Sequence, residues 1–168
     1  MPRTSGVDPL NQSALSAVSK TQTDTATQVA ALCFRITRTG KPRILMITSR
    51  GTGRWILPKG WPIPGRSLAQ SAAIEAWEEA GARGVPLDQC LGEYAYEKWR
   101  RELTPLPCVV RVYPVLVTGL QDNFPEQAER QRAWKSPRKA AALVQEKGLQ
   151  GILAGFDPLT LGSDLFNS

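Results

Sequence analysis

Three glutamates carry the chemistry open to this chain. Glu75, Glu78 and Glu79 fall within residues 67–81, SLAQSAAIEAWEEAG. At about 100° per residue, these offsets put all three carboxylates on one side of a helix. Like charges so placed repel one another. A hard divalent cation, which prefers oxygen ligands, turns that repulsion into attraction. A solvated acidic face has the same pattern, so the neighbouring elements must decide between the two.

Those elements are well marked. Ser67 and Gln70 have capping-box spacing, and Gly81 suits a helix C-terminal stop. Ala69, Ala72, Ala73, Ala76 and Ala80 form a small-residue stripe that allows close packing on a sheet. Upstream, residues 54–65 read RWILPKGWPIPG, a short strand followed by a loop. Pro58, Pro62 and Pro64 stiffen that loop, and Gly60 and Gly65 bend it. A strand, a rigid loop and an acidic helix hold ligands still.

The arrangement resembles the Nudix hydrolases, whose box reads G-x5-E-x7-R-E-U-x-E-E-x-G-U with U aliphatic. Counted from Gly60 to Ala82, the chain matches at Gly60, Glu75, Glu78, Glu79 and Gly81, with Ala76 and Ala82 at two U positions. Two positions depart: Arg66 stands for the first glutamate, and Ile74 for the arginine. The resemblance covers residues 27–156. It implies an α/β fold, an α/β/α sandwich around a mixed β-sheet. It also implies Mg²⁺, with Mn²⁺ as an alternate, held by Glu75, Glu78 and Glu79 with a backbone carbonyl near Gly60. Glu78 and Glu79 are the implied catalytic residues, and Glu126 is a more remote candidate for the proton acceptor. An arginine at 74 would reach Glu78 four residues on. Its absence leaves the carboxylates to be oriented by other groups, and the paired loss of Arg and Glu strands no single partner.

A finer resemblance lies in four stretches. Ala31–Arg35 with Thr48–Arg50, then residues 54–60, then residues 129–134 look like the diphosphoinositol polyphosphate phosphohydrolases and their bacterial relatives. In that group, residues matching Thr48, Arg50 and Arg130 contact substrate phosphates. Lys59 and Trp61 replace glycines beside Gly60. Lys59 is expected to add a phosphate contact, and Trp61 to narrow the pocket, stack on an adenine or simply cover the helix. Gln28 stands where relatives with inositol substrates often carry a basic residue.

Composition agrees with a small polyanionic substrate. The formal net charge is +6. Between Thr25 and Ile74 there is no acidic residue, but there are eight basic ones: Arg35, Arg38, Lys41, Arg43, Arg50, Arg54, Lys59 and Arg66. A cationic run facing an acidic metal helix suits a polyphosphate. Nucleic acid is the weaker reading, because no stacked-aromatic RNA motif or zinc module is present. The chain has no histidine, which excludes Ser-His and Cys-His mechanisms. The expected activity is hydrolysis of a phosphoanhydride in a diadenosine or diphosphoinositol polyphosphate. The alternatives are a non-catalytic ligand sensor on the same fold and a hydrolase of other nucleoside polyphosphates.

The 168 residues suit one domain, expected over 27–160. A disordered tail is expected at 1–26, rich in Ser, Thr, Gln and Ala, and a short tail at 161–168. No apolar run approaches the ~18 residues of a membrane span, and no signal peptide is visible. Cys33, Cys90 and Cys108 are far apart and odd in number. They read as free thiols, Cys33 and Cys108 buried, in a reducing cytoplasm. Strands are expected at 28–37, 43–49, 54–57, 90–99, 108–118 and 131–135, the first two as a hairpin. Pro114 suggests a bulge or an edge in the fifth. Helices are expected at 67–81, from Ser136 through 146, and at 149–155.

Overall fold

The computed structural model describes residues 25–162. The strands are β1 (Ala26–Ile36), β2 (Pro42–Thr48), β3 (Trp55–Ile56), β4 (Lys59–Gly60), β5 (Ala82–Pro86), β6 (Gly92–Lys98), β7 (Leu106–Leu120) and β8 (Arg132–Lys135). The helices are α1 (Leu68–Ala80), α2 (Pro137–Leu143) and α3 (Lys147–Ala154), followed by a 3-10 turn at Pro158–Leu161. The expected tails fall almost wholly outside the described residues. At the boundaries, Ala26 opens β1 and Leu161 is buried in the core.

All eight strands belong to one mixed sheet, whose path runs β3-β2-β1-β7-β5. β1 and β7 pair in parallel from Ala26↔Cys108 to Phe34↔Leu116, and every other pairing is antiparallel. β1 meets β2 at Phe34↔Ile44 and then β4 at Val29↔Gly60. β7 likewise meets β5 along one half and β6 along the other. Each central strand thus changes partner half-way, and the sheet splays at the change.

Period-two alternation divides the core. Ala30, Leu32 and Phe34 of β1 face one side with Ile44, Met46, Val110 and Val112. There α2 and α3 cover them through Ala140, Leu149 and Leu153. Val29, Ala31 and Cys33 face the other side with Leu45 and Ile47. There Ala69, Ala72, Ala76 and Ala80 of α1 lie flat on the sheet. The result is the expected three-layer α/β/α sandwich. The three cysteines are free, Cys33 and Cys108 buried and Cys90 half-buried. Burial pushes the Cys33 thiol up to about 12.

Three expectations about elements change. Pro114 is neither at an edge nor at a bulge: it pairs with Leu32 inside the central strand β7. Its carbonyl accepts from Leu87 N at 3.0 Å, so its nitrogen faces the same flank, at the seam between β5 and β6. No ladder donor is needed there, and the irregularity falls instead at Arg83/Gly84. β5 itself was not expected. The helix from Ser136 ends at Leu143, because Val144 turns extended to enter the core. Its start is as expected, with the Ser136 side chain accepting from Lys139 N and Pro137 at the first turn. No helix among the described residues is long and apolar enough to cross a membrane.

Candidate active site

Helix α1 is fixed at both ends. The Ser67 hydroxyl accepts from Gln70 N at 3.1 Å and Gln70 Oε1 accepts from Ser67 N at 2.9 Å. At the other end Gly81 is left-handed, with φ 66°, and its N–H reaches Trp77 O. The arm at 121–131 docks on this end: Glu126 N donates to Glu78 O at 3.1 Å, and Arg132 donates to Ala80 O at 2.9 Å. The loop before α1 is tied down by Ile63 N, which donates to Ser71 Oγ at 3.0 Å. Strand, loop, helix and arm therefore meet rigidly.

A cavity of about 490 Å³ opens where they meet. It is lined by Glu75 and Glu79 of α1, Lys59 and Gly60 of β4, Trp61 of the loop, Arg50, Glu126 and Arg130, and Gln28, Lys98 and Trp99 from β1 and the end of β6. Glu79 is buried. Its Oε2 accepts from Lys59 N at 3.3 Å and its Oε1 from Arg130 at 3.0 Å. Burial pushes Glu79 up to about 8, against the pull of Arg130. Burial also raises Glu75, with the neighbouring Glu78 and Glu126 adding to the rise. Burial lowers Lys59, with Glu79 opposing, and its ammonium lies 4.7 Å from the centre of the Tyr96 ring.

Gly60 has a steric reason to be glycine. A Cβ there would lie 2.4 Å from Cδ and Oε1 of Glu75. The backbone of β4 and the Glu75 carboxylate are thus in direct contact. The buried Glu79 carboxyl and the half-buried Glu75 carboxyl, beside the main chain of Gly60, form the all-oxygen donor set that a hard divalent cation prefers. The residues therefore fit a divalent metal. The set is incomplete as it stands: among the described residues no three acidic or sulfur side chains converge as a cage, and Glu78, half-buried on α1, does not line the cavity.

The expected phosphate contacts divide into two kinds. Arg50 and Lys59 line the cavity. Arg50 is 63% exposed and reaches Glu126 and Glu129 only at 3.5 Å, so it is free to turn to a ligand. Arg130 is 6% exposed and already committed, to Glu79 and Glu126 at 3.0 Å each and to Thr48 O at 3.0 Å. Thr48 Oγ1 accepts from Gln131 N at 2.9 Å, which fixes β2 to the arm. Thr48 and Arg130 therefore brace the site in this structure. Of the eight residues in the basic run, only Arg50 and Lys59 line the cavity. Arg54 pairs with Glu146 at 3.3 Å and Arg35 covers Trp134 at 4.2 Å, both drawn elsewhere by the strands that carry them.

The cavity also holds groups not expected from the sequence. Lys98 and Trp99 come from the end of β6, and Ser49 from the β2–β3 turn. Gln28 was noted only for its lack of charge. It is buried and accepts from the Tyr96 hydroxyl. Glu126 lines the cavity where Glu78 does not. Alternation along 90–99 placed Trp99 at a strand end, but nothing local brought that end beside Gly60.

Gly60 lies against Glu75, Glu79 is buried beside it, and the helix caps hold both. The family model described as NUDIX domain matches residues 26–154. The chain belongs to the Nudix family. It is 32% identical over 119 residues to Nudix hydrolase 21, chloroplastic, of Arabidopsis thaliana, covering 70% of this chain and 58% of that protein. It is 31% identical over 120 residues to human diphosphoinositol polyphosphate phosphohydrolase 3-beta, covering 70% and 68%. In fold it is similar to a C. elegans Ap4A hydrolase in a binary complex, with a TM-score of 0.63 at 18% identity, over 83% of this chain and all of that one. The Nudix chain described here thus spans between about half and two thirds of the length of these curated relatives.

Proposed function

We propose that this Nudix chain is a Mg²⁺-dependent pyrophosphohydrolase that cleaves a phosphoanhydride in a diadenosine polyphosphate or a diphosphoinositol polyphosphate. The observation that carries this reading is one cavity lined by Glu75, Glu79 and Gly60 together with Arg50, Lys59 and Lys98. Acidic groups that take a cation face cationic groups that take phosphate. Both relatives named for their substrates act, by name, on such compounds. Three free cysteines suit a reducing cytoplasm.

Glu75 and Glu79 would hold Mg²⁺ with the Gly60 main chain, and Glu78 would join by turning towards them. The bound ion would supply charge neutralisation and a lower pKa for water. The residues do the rest. Arg50, Lys59 and Lys98 hold the phosphates flanking the scissile bond. Water forms the new P–O bond as the bridging P–O bond breaks, and the leaving phosphate departs with the bridging oxygen. A carboxylate takes the proton of the water. Glu126 lines the cavity, where Glu78 does not, and Arg130 holds it at 3.0 Å, which places it ahead of Glu78 for that role. Arg130 positions both Glu79 and Glu126.

The second reading, a non-catalytic sensor, draws support from the same Arg130, which occupies two of the acidic groups. A substrate panel with and without Mg²⁺ separates the two: diadenosine polyphosphates, diphosphoinositol polyphosphates and nucleoside triphosphates, with Glu79→Gln alongside. Turnover that needs Mg²⁺ and falls at least ~100-fold in Glu79→Gln is expected. Absence of turnover on every member leaves the sensor standing.

A further inference from the structure

Two tryptophans stand in water at the mouth of the cavity. Trp99 is 78% exposed and Trp61 is 44% exposed, and both line the same cavity as Glu75 and Glu79. An isolated exposed tryptophan is unremarkable; two on one polar, cationic cavity are not. Residues beside each are tied down. Trp61 lies between Gly60 and Pro62 in the loop that Ile63 N ties to α1. Trp99 follows the last residue of β6, and beyond it Arg100 closes the turn on Thr104 O at 3.0 and 2.8 Å. Lys98 lies 4.9 Å from the centre of the Trp61 ring and links the two aromatics to the cationic wall. A ligand leaving the phosphate-binding side along Lys98 meets aromatic faces next.

From this geometry we infer that Trp61 and Trp99 form a nucleobase subsite, and that this subsite selects a dinucleoside polyphosphate over a diphosphoinositol polyphosphate. The inference rests on the reading of the cavity as a polyphosphate site and narrows its substrate class. A purine is flat and aromatic, and it stacks on indole. An inositol ring is a puckered polyol that carries phosphates on its rim and has no π face. For such a ligand the exposed rings offer nothing, and more cations would serve better. Gln28 agrees: this buried position beside the cavity is neutral and bonded to Tyr96.

The test is equilibrium binding by calorimetry in EDTA, so that nothing is hydrolysed. The probes are diadenosine tetraphosphate, which carries bases, and inorganic tripolyphosphate, which does not. Trp99→Ala and Trp61→Ala are each expected to weaken the diadenosine ligand by about ten-fold, on the scale of one lost base stack. Tripolyphosphate should stay within two-fold of wild type, and Trp99→Phe should recover most of the loss. Equal weakening of both probes, or no weakening of the diadenosine ligand, overturns the subsite. Folding is controlled by melting temperature, which the exposed Trp99 should leave almost unchanged. The two readings fail separately. A wild-type protein that binds the bases through these rings but hydrolyses nothing keeps the subsite and loses the hydrolase. One that hydrolyses with Mg²⁺ while the tryptophan variants bind normally does the reverse.

Discussion

Gly60→Ala isolates the contact on which the metal reading depends. The added Cβ would sit 2.4 Å from Glu75 Cδ and Oε1, while ordinary contact begins near 3.4 Å, so something must retreat by about 1 Å. The near atoms are the end of a side chain, so the carboxylate gives way and the strand does not. Gly60 is not left-handed, so alanine accepts its backbone conformation. Stability should therefore change by less than ~1 kcal/mol. A 1 Å misplacement of a positioned group costs about 10²-fold in rate. The assay is turnover of diadenosine tetraphosphate against Mg²⁺ concentration, beside a thermal melt. We expect kcat/KM to fall about 100-fold, the Mg²⁺ needed for half-maximal rate to rise, and the melt to be almost unchanged. Gly40→Ala is the control. Gly40 has φ 82° with nothing within 4 Å of a Cβ, so alanine there costs ~1 kcal/mol of strain and leaves the rate alone. Wild-type rate and Mg²⁺ dependence in Gly60→Ala would refute the contact as a determinant of the site.

Other perturbations test neighbouring parts. Folding raises Glu79 to about 8, so the folded state keeps its proton to higher pH than the unfolded chain. Metal-free protein should then lose stability as pH rises from about 5 to 9, and saturating Mg²⁺ should remove that slope; a flat melting temperature in EDTA contradicts the buried-carboxyl account. Arg130→Ala should cost more stability at pH 9, where wild-type Glu79 has lost its proton to the benefit of the pair, than at pH 6, where it keeps it, because Arg130 opposes the upward push of burial on Glu79. An equal cost at both pH values means that the pair with Glu79 does not matter. For Arg50→Ala, melting should be unchanged, while the rise of kcat/KM from three to five or six bridging phosphates is lost; in the wild type that rise should weaken with salt. Ile74→Arg places a cation four residues before Glu78, and one exposed helical pair is worth ~0.2–0.5 kcal/mol, so kcat/KM should move by no more than about three-fold. A large loss would show that the side chain packs more tightly than its half-buried position beside Trp77 and Arg83 indicates.

What local chemistry dictates was legible in the sequence. The Ser67–Gln70 box, Gly81 and Ser136–Pro137 are signals confined to a few residues, and each acts as its chemistry requires. The hairpin of β1 and β2 is of the same kind. What depends on distant pairing was not legible. β5 reads Ala-Arg-Gly-Val-Pro, with two strand-poor residues, and exists because β7 offers it a free flank. Pro114 is tolerated for the complementary reason, since that flank changes partner at its nitrogen. Lys98 and Trp99 enter the cavity only because β6 and β4 lie on opposite sides of the β1–β7 pair.

The two departures from the box find their account in Arg130. In the family pattern an arginine precedes the first metal glutamate and can steady the carboxylates from within the helix. Here Ile74 lies with Trp77 around a surface hollow, and Arg66 is exposed on the loop. The steadying cation instead comes from the arm at 121–131. Arg130 reaches Glu79 and Glu126 together, and it is itself fixed by Thr48 O. Such a brace ties the acidic helix to β2 and to the arm that brings in Glu126. A cation within α1 could position the carboxylates but could not position Glu126 against them. The local pair is lost, and the replacement couples three elements at one point.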